Sequence, residues 1–207
     1  MIKEVCVEYL DGAKIAEAMG ATQVELCGRL DLDGITPDMK LVEEVLNSLS
    51  IHTKVMVRPR GGDFVYSEDE VDEMAVTIEI LKKMGVQEIV LGLLTEQNNI
   101  DLATTKKLAQ LAAPMNVTFH KAIDELKDPA EGVRQLLAIP EITGVLTSGG
   151  KPTAKEGAEN IKRMIEAAQG KIQIIAAGKV TDKNLLEIDQ LIGADAYHGK
   201  LIVGELG

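Results

Sequence analysis

The sequence predicts a (β/α)8 barrel of the TIM type. Short β-rich runs alternate with longer amphipathic stretches roughly every 25 residues, the signature of parallel βα units. Nothing divides the 207 residues into parts: 45% are apolar, enough for one substantial core, and no Pro/Gly/Ser-rich or charged linker interrupts them, so residues 1–207 form one domain. An open doubly wound sheet is the alternative, but its glycine fingerprint should follow the first strand, where Glu8-Tyr9-Leu10-Asp11-Gly12 stands instead.

Eight runs read as strands: residues 3–7, 23–27, 54–58, 88–92, 117–120, 144–147, 172–176 and 194–198. The helices between them carry start signals, in order Thr36 before Pro37, Ser67 followed by Glu68 and Glu70, Asp128 before Pro129, Thr153, and Thr181 before Asp182. After the eighth strand only residues 199–207 remain, too few for a full last helix in a fold that typically runs to about 250 residues. The last helix is therefore expected to be short or missing. The apolar flank this leaves between the first and seventh helices predicts a homodimer or a higher homo-oligomer.

A net charge of −11 and a pI near 4.8 argue against nucleic acid and anionic membrane as partners. Any anion must be caught by local cations. Apolar runs such as 89–94 are too short to span a bilayer, and the chain opens strand-like rather than with a signal-peptide core. Two cysteines in a chain of this size suit thiols in a reducing compartment, so a cytoplasmic protein is expected.

Function is read from the strand ends, because barrel active sites lie at the C-terminal ends of the strands and alternate residues point inward. One parity is apolar (Val5, Val7, Val24, Leu26, Val55, Val57, Val117, Phe119) and should pack beneath helices. The other carries Glu4, Cys6 and Glu8; Gln23, Glu25 and Cys27; Lys54, Met56 and Arg58; Thr118 and His120; and Ala196 and His198. Such an interior is too polar to be only a core. Arg58-Pro59-Arg60-Gly61-Gly62-Asp63-Phe64 follows an apolar strand with two guanidiniums and two glycines, which reads either as one wall of an anion pocket or as an ion-pair network closing a strand end. Ser148-Gly149-Gly150 after the sixth strand resembles an anion cradle of backbone amides, though glycine is routine in tight βα turns as well.

The expected pairing is among Glu8, Glu25, Arg58 and Arg60, with His120 near the same mouth, since a buried unpaired ion is costly. His120, followed by Lys121 and Asp124, is the best acid, base or metal-ligand candidate. His52 lies at the opposite end and reads as surface or structural; the role of His198 stays open. For a soft ion such as Cu(I), Cys6 and Cys27 are the thiol ligands available, with His120 as a nitrogen donor, although their spacing is no metal motif and both also suit a core.

At Glu4-Val5-Cys6-Val7-Glu8, Val24-Glu25-Leu26-Cys27, 58–64 with Tyr66-Ser67, Val117-Thr118-Phe119-His120-Lys121-Ala122 with Asp124, and 146–150, the chain resembles the copper-homeostasis CutC family, the matches running in order over nearly its whole length. The resemblance implies a TIM-type barrel engaged in intracellular copper handling, with the two cysteines at positions proposed to bind Cu(I). Two function classes follow. One is a copper protein using Cys6, Cys27 and His120. The other is an enzyme of lyase, isomerase or hydrolase type that acts on a small anionic or phosphorylated molecule with Glu8, Glu25, Arg58, His120 and Asp124, the anion held by Arg58, Arg60 and residues 148–150.

Overall fold

Eight parallel strands close into a barrel in sequence order, the last pairing with the first. The computed structural model describes residues 1–206. The strands are β1 (Ile2–Val7), β2 (Gln23–Leu26), β3 (His52–Met56), β4 (Glu88–Leu91), β5 (Asn116–Phe119), β6 (Ile142–Thr147), β7 (Gln173–Ala176) and β8 (Ala196–His198). Between them run α1 (Leu10–Ala18), α2 (Met39–Ser48), α3 (Glu68–Lys83), α4 (Leu102–Ala112), α5 (Pro129–Leu136), α6 (Ala158–Ala168) and α7 (Leu185–Ile192), with 3-10 turns at Leu30–Leu32 and Lys121–Glu125.

The parity reading holds. Val5, Val7, Val24, Leu26, Val55, Val117 and Phe119 lie outside the barrel in one continuous apolar layer with Met74, Ile78 and Leu81 of α3, Leu108 of α4 and Met164 of α6. Each large side chain there contributes about 1.5–3 kcal/mol by burial. The lumen is different on its two sides. Towards β6, β7 and β8 it is closed by Leu146, Ile175, Ala177 and Ala196, and towards β1–β5 it holds the buried polar residues Glu4, Gln23, Glu25, Lys54, Glu88, Thr118 and His120.

Two helix starts fall where expected. Ser67 and Glu70 form a reciprocal capping box at α3, and Asp128 caps α5 ahead of Pro129. Three differ. α2 is capped by Asp38, because the Thr36 hydroxyl is used on β3's extension, accepting from the Arg58 amide and donating to its carbonyl. Thr153 pairs with Glu156 in a turn and α6 begins only at Ala158. Thr181 bridges to Leu201, and α7 begins after Asn184.

Among the described residues no eighth helix follows β8. Residues beyond it make the isolated bridges Thr181 to Leu201 and Ile202 to Gly204, and Ile202 is fully buried. Tyr9, Ile15 and Met19 at and along α1, and Leu201 near them, are exposed apolar side chains. No helix among the described residues is long and apolar enough to cross a membrane.

Candidate active site at the barrel mouth

A cavity of about 370 Å3 opens at the C-terminal ends of the strands, lined among others by Cys6, Glu25, Cys27, Arg58, Phe64, His120 and His198. Beneath it the lumen is a closed ion network. Lys54 Nζ lies 3.1 Å from Glu4 Oε2 and 3.0 Å from Glu88 Oε1; Gln23 donates to Glu4 and Thr118 to Glu88; and His52, at the opposite end of the barrel, sits 2.9 Å from Glu88 Oε2. Burial alone would raise the Glu4 pKa, but Lys54 and His198 outweigh it and bring it down to about 2. The role of His198 is thereby defined in part: its Nδ1 lies 2.8 Å from Glu4 Oε1 and its Nε2 3.8 Å from Glu25 Oε2. Burial opposes its charge, yet Cys6 beside it and the two carboxylates hold its pKa well above the ordinary value.

Above this network the polar atoms are not paired off. Glu25 Oε1, Arg58 Nε and His120 Nε2 are all buried without a hydrogen-bond partner among the described residues, although most buried polar atoms in folded proteins are satisfied. Burial, with Glu4 nearby, raises the Glu25 pKa against the opposing pull of His198. Burial and then the Arg58 charge push the His120 pKa down to about 3, so the imidazole is neutral. Its ring is held closely: the Ala122 amide donates to Nδ1 at 3.2 Å, Phe64 packs with ring centroids 4.9 Å apart, and on the remaining side a Cβ at Gly92 would clash with the imidazole. Arg58 stands over the same Phe64 ring at 4.9 Å.

The structure divides the candidates named from sequence. Glu25, Arg58, His120, Asp124, Cys6 and Cys27 line one cavity, whereas Glu8 and Arg60 do not. Glu8 accepts from the Leu30 amide at 2.7 Å, where it steadies the turn after β2, and lines the neighbouring hollow beside α1. Arg60 is an ion-pair residue of the loop, 2.6 Å from Glu70 Oε1 and 3.0 Å from Asp63 Oδ1. The expected Arg58 carboxylate pairing is absent among the described residues; NH1 donates to the carbonyls of Leu32, Asp33 and Gly34, and NH2 to that of Gly62.

The Ser148-Gly149-Gly150 cradle also has a different occupant than expected. Asp124 fills it: Oδ2 accepts from the Ser148 amide and hydroxyl, and Oδ1 from the Gly150 amide and the Thr147 hydroxyl. The Gly149 amide is used by the Thr147 hydroxyl. Gly149 and Gly150 both adopt positive φ, 70° and 67°, which turns these amides inward. Three committed amides and a committed carboxylate leave neither an anion site nor a free acid–base group there.

The thiols meet a similar test. Both cysteines are free and buried, but no group of three or more His, Cys, Asp and Glu side chains among the described residues is arranged to hold a metal ion. The Cys27 thiol faces Glu25 Oε2 at 3.7 Å as donor, and burial followed by the Glu25 charge pushes its pKa well above the ordinary value. A metal ion bound here would have to displace that proton, since the thiolate is the ligand. His120 has its Nδ1 engaged by the Ala122 amide, so only Nε2, and only in the other tautomer, could join the two thiols as a third donor.

Sequence reading passed over the strongest charged feature, the Glu4–Lys54–Glu88 network. Its signal was present in the inward parity of Glu4 and Lys54, and in Glu88 at the start of β4.

Comparison with known proteins agrees with the fold. The CutC family model matches residues 1–203. A Homo sapiens protein named copper homeostasis protein cutC homolog is 41% identical over 197 residues, covering 95% of this chain and 72% of the relative. A family protein CutC from Histophilus somni (strain 2336) is 39% identical, covering 94% and 80%. Among solved structures, a Streptococcus agalactiae chain described as a CutC copper homeostasis protein superposes with a TM-score of 0.92 at 31% identity, over 98% of this chain and 99% of that one. Phosphoribosylanthranilate isomerase from Thermotoga maritima, at 10% identity and a TM-score of 0.60 over 96% and 87%, shares the barrel alone. This chain belongs to the CutC family.

Proposed function

We propose that the chain serves copper homeostasis, the role its human and mouse relatives are named for, and that the chemistry of its pocket is acid–base work on a small anionic molecule. The observation that carries this reading is the set of three unpartnered buried atoms around one cavity, Glu25 Oε1, Arg58 Nε and His120 Nε2. The Arg58 guanidinium is buried without a carboxylate partner, held by four backbone carbonyls, and its positive field in a low-dielectric site favours a bound anion. Cu(I) capture needs neither Glu25 Oε1 nor Arg58 Nε. Titration of acetate and malonate into wild type and Arg58→Met, followed by NMR, tests the reading: both should bind to wild type and be lost in the variant.

A second reading treats Cu(I) as cargo held by the two thiols, since Cys6 and Cys27 line the same cavity. Binding would require Cys27 to lose its proton and turn from Glu25. Competition against a Cu(I) chelator under reducing conditions tests it. Cys27→Ser should weaken affinity by a large factor, a hard hydroxyl replacing a soft thiolate, and unchanged affinity in Cys27→Ser and Cys6→Ser would exclude the thiol site. Free thiols suit the cytoplasm. The exposed apolar side chains of Tyr9, Ile15, Met19 and Leu201 support a homo-oligomer, and light scattering should give at least the dimer mass at micromolar concentration.

A further inference from the structure

We infer that the pocket is built to receive a small carbonyl carboxylate in its enolised form, with Glu25 removing a proton from the carbon beside the carbonyl and neutral His120 holding the carbonyl oxygen through Nε2–H. The inference rests on the small-anion reading and names the reaction and substrate class.

The argument begins with the tautomer. The Ala122 amide donates to His120 Nδ1 at 3.2 Å, so Nδ1 presents its lone pair and the proton of the neutral ring is on Nε2. Gly92 and Phe64 fix the ring in this pose. His120 is therefore a donor. It is neither a base nor a metal ligand unless the ring reverses its tautomer and loses the Ala122 bond. A neutral imidazole N–H, with burial and Arg58 suppressing the charged form, suits an enolate oxygen; triosephosphate isomerase is the known example of a neutral histidine in that role.

Complementarity supplies the rest. Of the three unpartnered atoms, Arg58 Nε–H and His120 Nε2–H are donors and Glu25 Oε1 is an acceptor. Their ligand must offer two acceptors and one proton. A carbonyl oxygen for His120, a carboxylate for Arg58 and an acidic C–H for Glu25 meet that requirement in one small molecule. Phosphate fits less well, because the amides after β6 that would cradle it already hold Asp124, and Arg58 has only Nε without a partner, with the Tyr66 hydroxyl beside the guanidinium.

The step balances without any co-reactant. The C–H bond breaks, its electron pair becomes the C=C bond, the carbonyl π pair moves to oxygen opposite His120, and the proton resides on Glu25 Oε1. Return of the proton from Glu25 to the same carbon restores the starting carbonyl and gives exchange with solvent. Glu25 is flanked by Cys27 just after its own strand, by His198 of β8, by Glu4 and Cys6 of β1 and by Lys54 of β3.

Oxalate, a planar mimic of such an enolate, is the probe. At neutral pH, long-range 1H–15N NMR should show His120 neutral with its proton on Nε2, and oxalate should shift that signal. His120→Asn should weaken oxalate binding by about tenfold or more while acetate binding is retained. In D2O, wild type should speed exchange of the α-protons of pyruvate or hydroxypyruvate, and Glu25→Gln should abolish that exchange while still binding oxalate. The inference is overturned by an Nδ1–H or doubly protonated His120, by the absence of millimolar oxalate binding, by unchanged oxalate binding in His120→Asn, or by no protein-dependent exchange of either compound. The tautomer measurement uses wild type and so survives a variant that does not fold. If Arg58→Met leaves acetate and oxalate binding untouched, the small-anion reading itself fails; if it removes both while His120→Asn changes neither, that reading stands and the enolate inference alone falls.

Discussion

The depth of the barrel and its mouth both bury charge, but only one of them satisfies it. Around Lys54, two carboxylates, an amide, a hydroxyl and a histidine share bonds of 2.6–3.2 Å, and none of their fully buried nitrogen or oxygen atoms lacks a partner. Around the cavity, Glu25, Arg58 and His120 each keep one buried atom unused. A paired buried ion is a structural element whose partners are already in the fold, whereas an unpaired one loses hydration without compensation. The contrast separates residues that hold the barrel from residues held ready for a ligand.

That separation is most exposed to Lys54→Met. The variant leaves Glu4 and Glu88 facing each other without their cation and should destabilise the fold by about 3–5 kcal/mol in urea unfolding. A loss below 1 kcal/mol would show that the deep network is not structural.

Acid should strike the same network. The Glu4 pKa falls from 4.5 to about 2 on folding, so the folded state binds its proton more weakly than the unfolded chain. Its stabilisation, on the order of 3 kcal/mol, is present above pH 4.5 and lost as pH falls towards 2. Unfolding free energies measured across that range should decline in wild type and decline less in Glu4→Gln.

The smallest stability effect is expected at the mouth. Glu25 has its pKa raised by burial, so its ionised form costs stability as pH rises above the unfolded value. Glu25→Gln should therefore leave stability at neutral pH within about 1 kcal/mol of wild type, or slightly above it. A large loss in urea unfolding would mean that Glu25 belongs with the structural network after all.

Much of this was legible in one dimension. Strand parity placed Val5, Val24, Val55 and Val117 under helices and Glu25, Lys54 and His120 inside, because a closed parallel barrel forces period-two alternation into an inner and an outer set. Capping chemistry located α3 and α5, where the cap bonds to amides within one turn and no distant residue competes. It misplaced the starts of α2, α6 and α7, where the Thr36 and Thr153 hydroxyls and the Thr181 backbone are engaged elsewhere.

What sequence alone determined is set by local rules: the alternation of elements, the face each residue takes, and the clustering of Arg58, His120 and the two cysteines at strand ends. Which polar groups satisfy one another was decided only by tertiary structure. Asp124 reaches across 26 positions to Gly150, Glu8 across 22 to Leu30 and Glu4 across 194 to His198, distances over which sequence spacing carries no geometric information. The same residue type is a site when its partner is missing and a strut when its partner is present, and hydrogen-bond satisfaction is a property of the packed molecule.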